Sequence, residues 1–167
     1  EIKGPDFPTG GYILGRTGIR NAFETGKGSI VMRAKTSVEP MANGKQRIIV
    51  TELPYQVNKA EMVKRIAQLA RDKVIDGLTD LRDESNMSGV RVVIELRKDV
   101  QPEVILNQLY RLSPLQATFA VNNVVLVNGA PKQCGILEIL SEYIGFQKQV
   151  IRRRTAFDLK KAQDRAH

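Results

Sequence analysis

Ser29-Ile30-Val31-Met32-Arg33-Ala34-Lys35-Thr36-Ser37-Val38, then Pro40-Met41-Ala42-Asn43-Gly44, then Gln46-Arg47-Ile48-Ile49-Val50-Thr51-Glu52-Leu53, is the stretch on which the fold turns. The opening run alternates strictly. Ile30, Met32, Ala34, Thr36 and Val38 face one way, and Val31, Arg33, Lys35 and Ser37 the other, as in a strand with one covered face. Asn43-Gly44 is hairpin-turn chemistry, because both residues accept positive φ. The expectation is a β-hairpin with a mostly apolar face and a second face bearing Arg33, Lys35 and Arg47.

Beyond the hairpin, Asn58 precedes an amphipathic run and Glu61 stands three residues on, the pattern of a capped helix N-terminus. Met62, Val63, Ile66, Ala67 and Ala70 form its buried stripe. Leu78–Arg82 and Val90–Arg97 read as strands around a polar turn at Asp83–Gly89. Pro102 sits where a first helical residue prefers to be, and Ile105, Leu106, Leu109 and Leu112 give that helix its face. Gln116–Val127 is a β-branched strand, Asn128-Gly129 a turn, and Pro131–Gln133 a last short strand. From Gln46 to Val127 the order is β-α-β-β-α-β. The predicted class is therefore α+β: a ferredoxin-like split βαβ sheet of four strands with two helices on one face, preceded by the β-hairpin extension.

A final helix begins near Ile136, with Ile139, Tyr143, Phe146, Val150 and Phe157 at alternating three- and four-residue steps, the start of a coiled coil. It reaches the last residue without a cap, so the chain is read as an internal piece of a longer protein. Residues 1–28 hold seven of the 13 glycines and two prolines and read as irregular, with a short helix near Ile19–Thr25. The expected division is an irregular segment 1–28, an α/β domain 29–135 and an arm helix 136–167.

Composition narrows the function. With 167 residues and 42% hydrophobic content the chain supports a real core. No apolar run is long enough to span a membrane, and no signal peptide opens the sequence. The single cysteine, Cys134, forms no internal disulfide. A cytoplasmic protein is expected. The net charge is +8 and the pI about 9.8. Residues 1–50 carry eight Lys/Arg against four acids, residues 51–100 nine against nine, and residues 136–167 seven against four. The excess sits at the ends, which suits a polyanionic partner better than an evenly spread solubility charge.

Several motifs in one order resemble the A-subunit family of DNA gyrase and topoisomerase IV. They are Gly4-Pro5-Asp6-Phe7-Pro8-Thr9-Gly10-Gly11-Tyr12-Ile13, Glu24-Thr25-Gly26-Lys27-Gly28, Glu52-Leu53-Pro54-Tyr55-Gln56-Val57-Asn58-Lys59, Leu81-Arg82-Asp83-Glu84-Ser85, Asn107-Gln108-Leu109-Tyr110, Arg153-Arg154-Thr155 and Asp164-Arg165-Ala166-His167. The resemblance covers essentially the whole chain. It implies the tower region and the base of the coiled-coil arm of a type IIA topoisomerase, an enzyme that cleaves, passes and reseals double-stranded DNA with ATP. It implies an A2B2 complex in which Mg²⁺ and ATP belong to the partner B subunit, so no cofactor is expected on this chain. The closing motifs look nearer to gyrase than to topoisomerase IV, which stays the alternative. A stand-alone ferredoxin-like RNA-binding module is disfavoured by the 5% aromatic content. A plain oligomerisation scaffold is the third class.

Ile13 matches the family's intercalating residue. Flanked by Gly10, Gly11 and Gly15, it suits a wedge between base steps; the alternative places Ile13 in the core with Tyr12 or Leu14 facing out. Arg16, Arg20, Lys27, Arg33, Lys35, Lys45 and Arg47 are the expected phosphate contacts. The family's nucleophile is a tyrosine after an arginine. Tyr12, Tyr55, Tyr110 and Tyr143 lack that context, so no catalytic residue is expected here. Gly26-Lys27-Gly28-Ser29 lacks the first glycine of a phosphate loop and reads as a turn. Asp80, Asp83 and Glu84 read as a polar turn, or as partners of Arg82 and Arg91, rather than as a metal site. His167 reads as solvated and Cys134 as packed.

Overall fold

In the computed structural model, which describes residues 1–167, the chain runs β1 (Tyr12–Leu14), α1 (Thr17–Thr25), β2 (Lys27–Arg33), β3 (Lys35–Pro40), a 3-10 turn (Ala42–Gly44), β4 (Gln46–Glu52), α2 (Lys59–Arg71), β5 (Leu78–Asp83), β6 (Val92–Leu96), α3 (Pro102–Leu112), β7 (Gln116–Asn122), β8 (Val124–Val127), β9 (Ala130–Gln133) and α4 (Ile136–Ala166). These form two compact units, each of two chain segments. The first is Glu1–Arg16 with Ile30–Phe119; the second is Thr17–Ser29 with Ala120–His167.

The local signals act as their chemistry requires. The Asn58 Oδ1 accepts the Glu61 N–H at 3.1 Å, satisfying one of the free donors at the start of α2. Pro102 is the first residue of α3. Asn43 and Gly44 close the β3–β4 hairpin with φ of 64° and 74°.

The first unit holds the antiparallel sheet β3-β4-β6-β5. β6 lies between β4 and β5, which is the split arrangement expected. Met62, Ile66 and Leu69 of α2 and Ile105 and Leu109 of α3 pack with Ile48, Val50, Val92, Ile94 and Leu96, each at most 3% exposed. Leu69 completes the α2 stripe that the sequence reading built from Met62, Val63, Ile66, Ala67 and Ala70; it stands three residues after Ile66, on the same face.

The α+β class holds, with antiparallel sheets and a long last helix. The identity of the fourth strand differs from expectation. β7 does not join the four-stranded sheet; it lies in a second sheet of order β1-β2-β7, and β3 occupies the place beside β4. Ser29–Val38 is accordingly two strands. The break is at Ala34, 1% exposed, whose N–H donates to the Leu115 carbonyl at 2.8 Å rather than to a hairpin partner. Val38, expected on the covered face, is 40% exposed because β3 is an edge strand there. Gln116–Val127 is also two strands. Asn123 between them donates its N–H to the Gly26 carbonyl at 2.7 Å and accepts the Cys134 N–H at 3.0 Å.

The second unit contains α1, the β8–β9 hairpin and the 31-residue α4, which is about 46 Å long at helical rise. A Cβ on Gly135 would lie 2.5 Å from the Glu24 carbonyl, so the close approach of α4 to the end of α1 admits only glycine. No residue of α4 is buried; Tyr143, Phe146, Val150 and Phe157 of the expected stripe are 39–66% exposed. No helix is long and apolar enough to cross a membrane.

Asn58→Ala should lower stability by about 1 kcal/mol in urea denaturation, and Asn58→Asp by much less, since aspartate still accepts the Glu61 N–H.

Candidate nucleic-acid interface

Gly10 and Gly11 (φ 72° and 88°) turn the chain into β1, and the Gly11 N–H donates to the Glu52 Oε2 at 2.7 Å. A Cβ on Gly10 would stand 2.5 Å from that oxygen. The loop is therefore clamped on a carboxylate, in a backbone conformation that glycine adopts without strain. Upstream, Phe7 packs on Tyr55 and Phe119 with ring centroids 5.4 Å away in both cases. These contacts seat β1 against β2 in the register Tyr12↔Arg33, Ile13↔Met32, Leu14↔Val31.

That register decides where the candidate wedge faces. Residues opposite one another share a face. Ile13 lies with Met32, which is 3% exposed, and is itself half-buried; Tyr12 and Leu14 lie with Arg33 and Val31 and are 54% and 38% exposed. Ile13 thus keeps part of its surface in solvent, on the more covered side of β1.

The basic residues are not gathered as the hairpin reading expected. Arg33 ends β2 and Lys35 begins β3, in different sheets. Arg33 is half-buried: its Cζ lies 4.2 Å from the centroid of the Tyr110 ring, and its Nε donates to the Gln116 Oε1 at 2.9 Å. Lys35 is exposed opposite Glu52, at the end of the hairpin near the Gly11 clamp. Lys45 and Arg47 are at the other end, five register steps or about 17 Å away. Lys45 is exposed, whereas Arg47 is held by Glu39, with Nη2–Oε2 at 2.9 Å. Arg16 is exposed after β1. In the second unit, Arg20 on α1 and Lys27 at the start of β2 are exposed. Of Gly26–Ser29, read from the sequence as a turn, only Gly26 precedes the strand; Lys27, Gly28 and Ser29 already belong to β2.

Arg47 belongs to a larger ionic network on the sheet face away from the helices. Arg91 reaches Glu39 at 3.8 Å and Glu84 at 3.1 Å; Arg82 meets Glu84 at 3.3 Å and both Asp80 and Glu95 at 2.6 Å. Three arginines thus face four carboxylates, which leaves no positive excess to attract a polyanion. Arg82 stands opposite Val93 in register, and Val93 opposite Ile49; these two are 0% and 1% exposed. The acidic residues Asp80, Asp83 and Glu84 are therefore ion-pair and turn residues. Asp83 accepts the Ser85 N–H at 3.0 Å and pairs with Lys59 at 3.0 Å. Cys134 is buried. The sequence reading missed Glu52, Tyr110 and Gln116 as neighbours of the site. Their partners lie 41 residues away for Glu52, and 74 and 83 residues away in the bonds of Tyr110 to Thr36 and Gln116 to Arg33.

Two outcomes follow from this geometry. Gly10→Ala should cost about 1–2 kcal/mol, the penalty of a left-handed alanine, before the clash with Glu52 is added. It should also speed tryptic cleavage after the already exposed Arg16, as read by limited proteolysis. The second concerns pH. Hydrogen bonds from Arg91 hold the Glu84 carboxyl below its ordinary range, and bonds from Ser85 do the same for Asp83. A carboxylate with a depressed folded pKa stabilises the fold above its unfolded value and loses that contribution as pH falls through the folded value. The melting temperature should therefore drop as pH is lowered below about 4, and the drop should be smaller in Glu84→Gln.

Comparison with known proteins fits this architecture. The family model for the A subunit of DNA gyrase and topoisomerase IV matches residues 1–167. The DNA gyrase A subunit of Staphylococcus epidermidis (strain ATCC 12228 / FDA PCI 1200) is 58% identical over 168 aligned positions, covering 100% of this chain and 19% of that protein. The same values hold for the DNA gyrase A subunits of Staphylococcus aureus strains MRSA252 and NCTC 8325 / PS 47. The chain thus spans about a fifth of the length of these relatives, 19%. With every residue matched by one family model and an α+β fold of antiparallel sheets leading into a long helix, the chain belongs to the A-subunit family of DNA gyrase and topoisomerase IV.

Proposed function

We propose that this chain is the duplex-holding and duplex-bending part of a type IIA topoisomerase A subunit, of the gyrase rather than the topoisomerase IV kind. The observation that carries this reading is the match over the whole chain to staphylococcal DNA gyrase A subunits. The exposed cations Arg16, Arg20, Lys27, Lys35 and Lys45, with the half-buried Arg33, supply phosphate contacts that bind duplex DNA without reading its sequence. Arg47, the remaining candidate, is engaged by Glu39 and contributes least. Ile13 is the wedge that opens a base step and favours a bend. The apolar positions of α4 begin the coiled-coil arm, exposed until a partner helix covers them.

In this reading the whole enzyme is an isomerase of the cytoplasm that breaks both strands of one duplex, passes another and reseals. It works as an A2B2 complex, with ATP and Mg²⁺ on the partner B subunit. The chain itself does not cleave DNA: none of Tyr12, Tyr55, Tyr110 and Tyr143 follows an arginine. A second reading concerns the wedge alone. Leu14, 38% exposed, is more accessible than Ile13 and would take its role if β1 meets DNA with its open face.

The test is fluorescence anisotropy and end-to-end energy transfer on a labelled duplex of about 30 base pairs, long enough to span several phosphate contacts. Wild type should bind with an affinity that falls steeply with salt, and should shorten the end-to-end distance. Ile13→Ala should keep most of the affinity and lose most of the bend. A normal bend in Ile13→Ala with a lost bend in Leu14→Ala would move the wedge to Leu14. A normal bend in both would sink the wedge.

A further inference from the structure

Arg33 differs from the ion-paired arginines of the first unit in what holds it; Arg65, whose Nε donates to the Leu112 carbonyl at 3.4 Å, also lacks a carboxylate but has no ring beneath it. Arg47, Arg82, Arg91 and Arg97 each lie against a carboxylate. Arg33 is held by neutral groups only: the Tyr110 ring under its guanidinium at 4.2 Å, and the Gln116 Oε1 accepting from its Nε at 2.9 Å. Tyr110 is fixed in turn, because its hydroxyl and the Thr36 Oγ1 share a hydrogen bond of 2.9 Å. The guanidinium is therefore oriented while its charge stays uncompensated, and within this unit its Nη edge has no partner. Tyr12, exposed and opposite Arg33 in register, shows that this side of the β1–β2 pair faces solvent.

An arginine flexible in water loses side-chain entropy when it grips an oxyanion; a guanidinium already stacked and hydrogen-bonded at Nε loses less, and presents its remaining donors as a fork. We propose that Tyr110 and Gln116 are positioning residues that hold Arg33 as a ready-made ligand for a phosphodiester oxygen, making it the most ordered of the chain's backbone contacts. The proposal rests on the duplex-holding reading for the source of that phosphate. The anion site itself is defined by the geometry alone.

The experiment is a salt series of duplex binding on folded variants of the full chain, with the double-mutant cycle as the decisive comparison. Arg33→Ala should reduce the magnitude of the log Kd against log salt slope by about 0.9, one phosphate contact. Arg33→Lys and Tyr110→Leu should keep that slope and lose about two- to fivefold in affinity, the range of a lost cation–π contact. Tyr110→Phe, which keeps the ring but loses the bond to Thr36, should keep the slope and lose less affinity than Tyr110→Leu. On the Arg33→Ala background, Tyr110→Leu should add nothing. An equal loss on both backgrounds would mean that Tyr110 acts only through packing, and would overturn the proposal. Gln116→Glu, which alters no core side chain, provides the second arm. Its carboxylate should neutralise Arg33 and reproduce the slope change of Arg33→Ala; an unchanged slope counts against the proposal. Should the wild-type chain bind no duplex even at low salt, the duplex-holding reading falls. The Arg33 site is then judged by NMR titration with inorganic phosphate: a saturable shift of the Arg33 Nε–Hε resonance that Gln116→Glu abolishes upholds it, and no shift refutes it.

Discussion

The hydrogen bond from the Ala34 N–H to the Leu115 carbonyl, 2.8 Å, divides what would otherwise be one strand between two sheets. In a single strand Arg33 and Lys35 would lie about 7 Å apart on one face. With Ala34 tied to Leu115, β2 stays with β1 and β7, and β3 begins a new pairing with β4 across a register shift at Lys35/Thr36. The rest of the site inherits this break. Leu115 stands three residues after the end of α3, so the crossing brings Tyr110 under Arg33 and Gln116 beside it. The end of β4 comes level with the N-terminal loop, where Glu52 receives the Gly11 N–H. A small residue is needed at the crossing, and Ala34 is 1% exposed.

The distribution of charge has a structural cause. Residues 51–100 are balanced, nine against nine, and in the fold they supply most of the ionic network on the open face of the four-stranded sheet. A single exposed ion pair contributes little. Here the pairs are linked through shared partners, on the face that also holds the buried Ile49 and Val93. That face gains cover for its apolar centre and forgoes any attraction for a polyanion. Cations left without carboxylates are concentrated at the two ends of the sequence, Arg16 to Lys45 and along α4, where the net excess is visible in the composition.

What was legible in the sequence was local. Asn58 before α2, Pro102 at the start of α3, the Asn-Gly turns and the apolar periodicity of both helices act through neighbours within four residues, so the residues alone announce them. The partition of strands between sheets was not legible. Alternation around Ala34 is identical whether Ser29–Val38 continues in one sheet or crosses to another, because both faces keep their parity through the crossing. The same holds at Asn123, where bonds to Gly26 and from Cys134 interrupt a run that reads as one strand. Arg47 was placed beside Arg33 and Lys35 by a hairpin of the wrong extent; once β3 begins at Lys35, the register puts Arg47 opposite Glu39 instead.

The division of labour between wedge and cations follows from magnitudes. Fully burying an isoleucine side chain is worth about 1.5–3 kcal/mol. Ile13 is already half-buried beside Met32, so moving it into a base step gains at most a part of that. Opening the step costs a few kcal/mol. On the proposed duplex-holding reading, a wedge in this position would not drive binding on its own; it would select the bent form of a duplex that the cations hold. The proposal thus assigns affinity to the phosphate contacts and bend to the β1 strand. β1 is suited to that part because it is short, lies at the edge of its sheet and is pinned to the four-stranded sheet's β4 through the single carboxylate of Glu52.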